Sequence, residues 1–448
     1  MDPRERRLIR YNGEFAHDVI ARASGSWLET TDGRRVLDFT SGQICATIGH
    51  SHPRIAQAVR RSLDEAVHLN SGLLSEPVLA LAERVAALMP TGLDRSMFLS
   101  TGGEANEAAV RMAKLATGGF EIVSLTRSWH GMTSGSQSLT YSAGRRGHGP
   151  TMPGVFALPA PYAYRCPVRH CAGTCDHTCL EVGFELYDQQ TSGSRAAVVA
   201  EPVLSSGGIL VPPPGYLARL LELTHERDML LILDEAQTGF GRLGAMFGMD
   251  VFGVVPDIVT LSKTLGGGLP ISAVVTTGAI EQTAYDAGLM YYTSHQSDPL
   301  PAAAALAVLD VVEEEDLATR SARRGERLGA HLRELARRHE LIGDVRGMGL
   351  LWGVELVEDR ETKAPATGQG DALTDACYAC GLSLNITKGR AGGAAACLRI
   401  APPLTVTEEE IDTGAEILDE ALSKLTWTPV GPGGGGLCRH GARERERA

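Results

Sequence analysis

The sequence predicts an α/β fold, with a large domain built on a mainly parallel seven-stranded sheet and a small α+β domain beside it. Two observations carry this. Between about residues 96 and 277, seven short apolar, β-rich runs alternate with longer stretches of helical pattern, as in a parallel sheet covered by helices on both faces. After Pro299 the alternation stops, and helical and strand-like stretches follow in a different order.

In chain order, 27–29 and 36–39 flank the turn-like Thr31-Asp32-Gly33. The first forty residues therefore read as a helix and a hairpin that complete the small domain. The seven strand candidates are 97–99, 122–125, 155–158, 196–200, 230–233, 258–261 and 271–276. A long helix rich in Arg and Ala is expected from Pro299 to His339, then a strand at 350–357, a helix around 371–380 and a strand at 398–401. Thr407 with Glu410 forms a capping-box pattern that opens a last helix through about Leu425. The expected division is 1–45 and 311–427 in the small domain and 46–310 in the large one. The glycine-rich 431–436 and charged 443–447 have too little apolar surface to pack, so 428–448 is expected to be a disordered tail.

The 448 residues are 43% hydrophobic and carry a formal net charge of -12, with both signs interspersed. No basic field is available to gather phosphate backbones, so nucleic acid is not an expected partner. The opening MDPRERRLIRYNGEF is charged, and no run reaches the eighteen or so apolar residues of a membrane span. A cytoplasmic protein without membrane contact is expected. Nine cysteines, an odd number in a large chain, favour free thiols.

Chemistry concentrates at the predicted strand exits, where an open α/β sheet binds its ligands. LLILDEAQ ends one apolar run on Asp234, and DIVTLSKTLGG ends another next to Lys263. A lysine at a strand end can bond the aldehyde of pyridoxal phosphate, and a buried aspartate can pair with its ring nitrogen. Singly, Asp234 reads as a helix cap and Lys263 as a solvated loop residue; together they point to the cofactor. In LSTGGEANEA a glycine turn joins strand to helix, so backbone amides there can hold a phosphate. Most such turns are only turns. Trp129 in SWHGM can cover a flat cofactor or simply fill a core.

LLILDEAQTGFGR, PDIVTLSKTLGGGLP, STGGEANEAAVRMAK and SWHGMT together resemble the class III aminotransferase family of fold-type I pyridoxal phosphate enzymes, from about Asp38 to about Leu425. The resemblance implies that Lys263 bonds the cofactor, Asp234 pairs with its ring nitrogen and Gln237 bonds its ring hydroxyl. Trp129 would stack on the ring, while Thr101, Gly102 and Gly103 would hold the phosphate. It further implies a homodimer or tetramer in which the 294–299 segment of a second copy completes the phosphate site. Ser294 stands there in place of the family's usual threonine.

Within that family the chain resembles the dialkylglycine decarboxylase branch, in YSAGRRGHGP, AEPVLSSGGI, SDPLPAA, IGDVRGMGLLWGVE and RIAPPLTV. Gln43 and Arg399 become the residues that choose the reaction. Gln43, with Lys263, would hold the carboxylate of a quaternary amino acid perpendicular to the cofactor plane, so that carbon dioxide leaves. Arg399, a fork donor suited to a carboxylate, would bind ordinary L-amino acids. The expected activity is decarboxylation-dependent transamination of 2,2-dialkylglycines with pyruvate, giving carbon dioxide, a ketone and L-alanine. The alternatives are an ω-amino acid or diamine aminotransferase without decarboxylation, and a catalytically silent relative. The same branch implies an alkali-metal ion, potassium or sodium, at Leu69, Ser71, Ser294, Gln296 and Asp298.

Cys166, Cys171, Cys175 and Cys179 lie with two histidines in fourteen residues. Their C-x4-C-x3-C-x3-C spacing is not the paired C-x2-C knuckle of structural zinc, so metal binding there stays open against free thiols. Keto-acid preference, the preferred quaternary donor and the choice of dimer or tetramer have no sequence signal.

Overall fold

The computed structural model describes residues 3–10, 15–16, 18–143, 147, 149–168, 175–388 and 396–425. Cys171 and the expected tail at 428–448 lie outside the described residues.

All seven expected strands join one sheet, in the order Leu93–Leu99, Ser272–Thr277, Ile258–Leu261, Leu230–Asp234, Arg195–Ala200, Glu121–Leu125, Val155–Leu158. Ser272–Thr277 runs antiparallel to both its neighbours, while the five strands from Ile258–Leu261 to Val155–Leu158 are parallel. The central strands are buried along almost their whole length. That is why Leu230-Leu231-Ile232-Leu233 shows no polar alternation. The parallel strands place their carboxyl ends on one edge, bringing the residues after Leu125, Ala200, Leu233 and Leu261 together.

A four-stranded antiparallel sheet has the order Ile342–Met348, Leu351–Leu356, Ala396–Ile400, Asn385–Lys388. Near the amino terminus Ile20–Ser24, Trp27–Thr30 and Arg35–Asp38 form an antiparallel meander, which Leu382–Ser383 extends by pairing parallel to Arg35–Asp38. The first forty residues hold a short 3-10 helix, Pro3–Arg7, among the described residues rather than a full helix. The closing helix, Glu408–Leu425, opens as expected, with Glu410 N–H donating to Thr407 Oγ1 and Thr407 N–H to the Glu410 carboxylate.

The long helix expected from 299 to 339 is two, Pro299–Glu314 and Leu317–Arg338, broken where Asp316 takes φ 47°. An aspartate tolerates that left-handed conformation better than most residues. The break lets the first helix back the Lys263 turn while the second lies on the antiparallel sheet. The division expected at 310/311 falls inside the first of these helices.

The second helix approaches its sheet through Gly325 and Gly329, one turn apart. A Cβ on Gly325 would lie 1.9 Å from the Gly349 carbonyl oxygen, and one on Gly329 2.3 Å from the Trp352 ring. Gly325→Ala is therefore expected to destabilise the protein by about 1–3 kcal/mol. Gly368→Ala, in a helix with nothing within 4 Å of the added methyl, should stabilise it by roughly 0.5 kcal/mol. Thermal unfolding checks the contrast, and equal Tm changes would contradict this packing.

Candidate active site

Asp234 ends its strand buried, and side chains from two other segments converge on it. Oδ2 accepts from Asn106 Nδ2 at 2.8 Å and faces His130 Nδ1 at 2.9 Å, and Oδ1 accepts from Ala236 N–H at 3.1 Å. Asn106 also donates to the His130 carbonyl and accepts from Thr260 Oγ1, both at 2.8 Å. Burial alone pushes the Asp234 pKa up, but the His130 and Asn106 hydrogen bonds with the His130 and Lys263 charges outweigh it and hold the carboxyl below its usual value. Each bond to a charged acceptor is worth about 1.5–3 kcal/mol, so three can offset a desolvation cost of several kcal/mol. The carboxylate stays ionised.

Lys263 follows the next strand and opens the 3-10 turn Lys263–Gly266 with φ 48°. A left-handed lysine costs on the order of 1 kcal/mol and persists only where its surroundings enforce it. Here its amine is carried into the interior. Burial pulls its pKa down, partly opposed by Asp234.

The helix Gly102–Thr117 starts with a complete capping box. Thr101 Oγ1 accepts from Glu104 N–H, and the Glu104 carboxylate accepts from Thr101 N–H. The box uses the amides of the N-cap, Thr101, and of the third helical residue, Glu104, and leaves those of Gly102 and Gly103 for an anion. A Cβ on Gly131 would meet the Gly103 Cα at 2.7 Å and Ser136 Oγ at 2.5 Å, so glycine is required where the Trp129 loop crosses this turn.

A cavity of about 90 Å³ is lined by Gly102, Gly103, Trp129, Gln237, Lys263 and Glu201, with Asp234, Asn106 and His130 also in its wall. Glu201, at the exit of Arg195–Ala200, accepts from Trp129 N–H at 2.8 Å and Ser205 N–H at 3.2 Å. Burial pushes it up to about 7. Arg399, on the strand Ala396–Ile400, is 8% exposed and reaches Gln237 Oε1 through Nη1 at 3.4 Å. Burial lowers its pKa, with Glu201 opposing.

Gln43 does not line this cavity and is exposed. Its loop is nevertheless held firmly. Asp38 accepts from Thr40 N–H and Gly42 N–H and faces His50 Nε2 at 2.8 Å, which sustains the left-handed Ser41, Gly42 and Ile44. The loop is tied to the Arg399 strand by Ser41 Oγ–H to the Ala401 carbonyl at 2.5 Å and Ala401 N–H to the Phe39 carbonyl at 2.8 Å. Thr264 Oγ1 to Thr47 Oγ1, 2.9 Å, ties it to the Lys263 turn. Ser294 is exposed and outside the cavity. Of the alkali-ion set, Asp298 is buried, and each of its oxygens faces an imidazole, His68 or His295.

Asn106, His130 and Glu201 had no assigned role in the sequence reading. A signal existed for Glu201, an acid directly after a strand run. Asn106 shows itself only as a buried polar residue on an otherwise alanine-lined helix face.

Residues 11–422 match aminotransferase class-III, and the chain belongs to that family. It is 47% identical over 417 residues to an uncharacterised aminotransferase of Schizosaccharomyces pombe, covering 93% of each chain. It is 33% identical to a leucine/methionine racemase of Thermococcus litoralis, again over 93% of each. An amine transaminase from an uncultivated Pseudomonas species, solved with pyridoxal phosphate bound, superposes with a TM-score of 0.84 at 30% identity, over 93% of this chain and 98% of that one. The fold is fold-type I, and the family carries pyridoxal phosphate as cofactor. The residues fit it: a buried carboxylate, a buried amine and a glycine cradle share one cavity. No helix among the described residues is long and apolar enough to cross a membrane.

Glu201 titrates near 4.5 when exposed and near 7 in the fold, and burial pushes Glu235 up to about 7 as well. A carboxyl that holds its proton more tightly in the fold contributes stability that is full below pH 4.5 and is lost as pH rises through about 7. For Glu201 the difference is worth about 3 kcal/mol. The Tm of cofactor-free Glu201→Gln should therefore fall less between pH 5 and 7.5 than that of the unaltered protein. Parallel profiles would contradict the assignment.

Proposed function

We propose that this aminotransferase acts on α-amino acids held through their carboxylate by Arg399. With quaternary amino acids such as 2-aminoisobutyrate it releases carbon dioxide and a ketone, then transfers the nitrogen to pyruvate to give L-alanine. One observation supports the first part above others. Arg399 is buried with no carboxylate within 4 Å among the described residues, its contact being the long one to Gln237. A buried guanidinium whose counter-charge, Glu201, lies beyond 4 Å is costly, and a substrate carboxylate would supply a close one.

When bound, pyridoxal phosphate supplies an aldehyde for the substrate amine and a ring that takes up the electrons of the broken bond. Asp234 would hold the ring nitrogen with its charge, Gln237 the ring hydroxyl, and Trp129 would cover the ring and keep water from it. Gly102 and Gly103 would hold the phosphate. Lys263, with its basicity lowered by burial, is suited to take a proton from the substrate carbon or return one. For an L-amino acid, Arg399 would keep the carboxylate near the ring plane and present the α-hydrogen to Lys263. For a quaternary amino acid, Gln43 with Lys263 would hold the carboxylate out of that plane. The Gln43 loop is tied to both the Lys263 turn and the Arg399 strand, and the role requires the exposed Gln43 side chain to turn inward from its present position outside the cavity.

A second reading, amine transfer without decarboxylation, is supported by the likeness to the Pseudomonas amine transaminase. The intact Lys263, Asp234, Gln237 and Arg399 set speaks against a silent relative. The proposal includes a cytoplasmic homodimer or tetramer in which Ser294 of one copy reaches the phosphate of the other. Leu74, Met290 and Tyr292, on the segments that would meet a second copy, are 73%, 74% and 69% exposed. In the set Leu69, Ser71, Ser294, Gln296 and Asp298, the carboxylate that an alkali ion would need is engaged by two imidazoles.

Incubation with 2-aminoisobutyrate and pyruvate is expected to release carbon dioxide and form L-alanine. Transamination of L-alanine without any such release would leave the second reading. Arg399→Met should lower kcat/KM for L-alanine about 100-fold, and an unchanged value would remove Arg399 from substrate binding.

A further inference from the structure

His68 and His295 come from segments 227 positions apart and converge on one buried carboxylate. His68 Nδ1 lies 2.6 Å from Asp298 Oδ1, and His295 Nδ1 lies 2.7 Å from Asp298 Oδ2. The two rings are 5.2 Å apart between centroids, and one ligand atom from each of the three residues lies within 4.8 Å of the others. Asp298 sits at the N-cap of Pro299–Glu314 yet makes no capping hydrogen bond to that helix. Its carboxylate is 8% exposed, whereas the imidazoles are 50% and 67% exposed. A buried acid is thus turned from its own helix toward two nitrogen donors at the surface.

We propose that His68, His295 and Asp298 form a binding site for a borderline divalent metal ion, of which zinc is the representative. Two imidazole nitrogens and one carboxylate oxygen suit zinc, nickel or copper, whereas alkali ions, magnesium and calcium take all-oxygen sets. Zinc binds such atoms tetrahedrally at about 2.0–2.2 Å, which sets ligand atoms about 3.4 Å apart, so the nitrogen–oxygen separations of 2.6 and 2.7 Å would widen by about 0.7 Å through side-chain rotation. Each imidazole would offer its Nδ1 lone pair, with its proton on Nε2, and no net charge is lost from the protein. Three protein ligands leave further positions for water.

The ion would join the segment after helix Pro53–Glu65 to the turn before Pro299–Glu314. That turn is anchored to the large sheet by Ser297 N–H donating to the Phe98 carbonyl at 3.2 Å, three residues before the Thr101 cap. The site would therefore fasten together, beside the Thr101 turn, two segments on the face proposed to meet the second copy. It takes no part in the reaction described above.

The test uses untagged, cofactor-loaded protein, dialysed against zinc and against cobalt(II). His68→Gln/His295→Gln keeps an amide donor toward Asp298 at each position but removes both imidazole ligands, so a purely hydrogen-bonded role survives in it. The unaltered protein should take up one equivalent of zinc per chain and show a rise in Tm on zinc addition. The double variant should bind at least tenfold more weakly and show no rise. Bound cobalt should give visible bands without thiolate charge-transfer absorption, which separates this site from Cys166, Cys175 and Cys179. No uptake by the unaltered protein, equal uptake by the double variant, or thiolate bands accounting for all of the cobalt would overturn the proposal.

Discussion

The carboxylate of Asp234 is the constraint on which the site depends. Buried alone it would take up a proton, and a neutral acid could not keep a cofactor ring nitrogen charged. Asn106, His130 and the Ala236 amide prevent this, and each comes with a structural commitment. Asn106 binds the helix behind the phosphate turn to the Asp234 strand, the Trp129 loop and, through Thr260, the strand leading to Lys263. Asn106 thus helps to keep the charge and at the same time sets the spacing of the Gly102–Gly103 turn, the Trp129 loop and the strand before Lys263. Because a low-dielectric interior penalises any unmet partner, removing one member would cost both geometry and charge.

A second layer of constraint concerns which bond of the substrate is presented. The loop from Asp38 to Thr47 spends left-handed conformations at Ser41, Gly42 and Ile44 and is held by the Asp38 carboxylate, whose pKa hydrogen bonds keep low despite burial. Through Ala401 and Thr264 this loop couples the strand carrying Arg399 to the turn carrying Lys263. A shift in any one of the three would be felt by the other two. Under the proposed function this coupling is what would let the Gln43 loop and Arg399 act together on the substrate.

Much of this was legible in the chain. The central strands read as apolar runs because both faces are covered, and the strand exits located Asp234, Lys263, Gly102, Gly103 and Trp129. The Thr407–Glu410 capping box was readable because it is local. What depended on convergence was not. His130 and Asn106 lie in motifs that were recognised, but their bonds to Asp234 span 104 and 128 positions. The break at Asp316 follows from two helices facing different surfaces, which composition does not record. The alkali-ion set rested on resemblance alone, whereas the imidazoles flanking Asp298 are visible only once residues 68 and 295 meet.

The most direct measurement is the 15N chemical shift of the ring nitrogen in protein reconstituted with 15N-labelled pyridoxal phosphate, followed from pH 6 to 9. If Asp234 is held ionised as described, the ring nitrogen stays protonated across that range, and Asn106→Leu shifts it toward the unprotonated value. An unprotonated nitrogen at neutral pH in the unaltered protein would contradict the account.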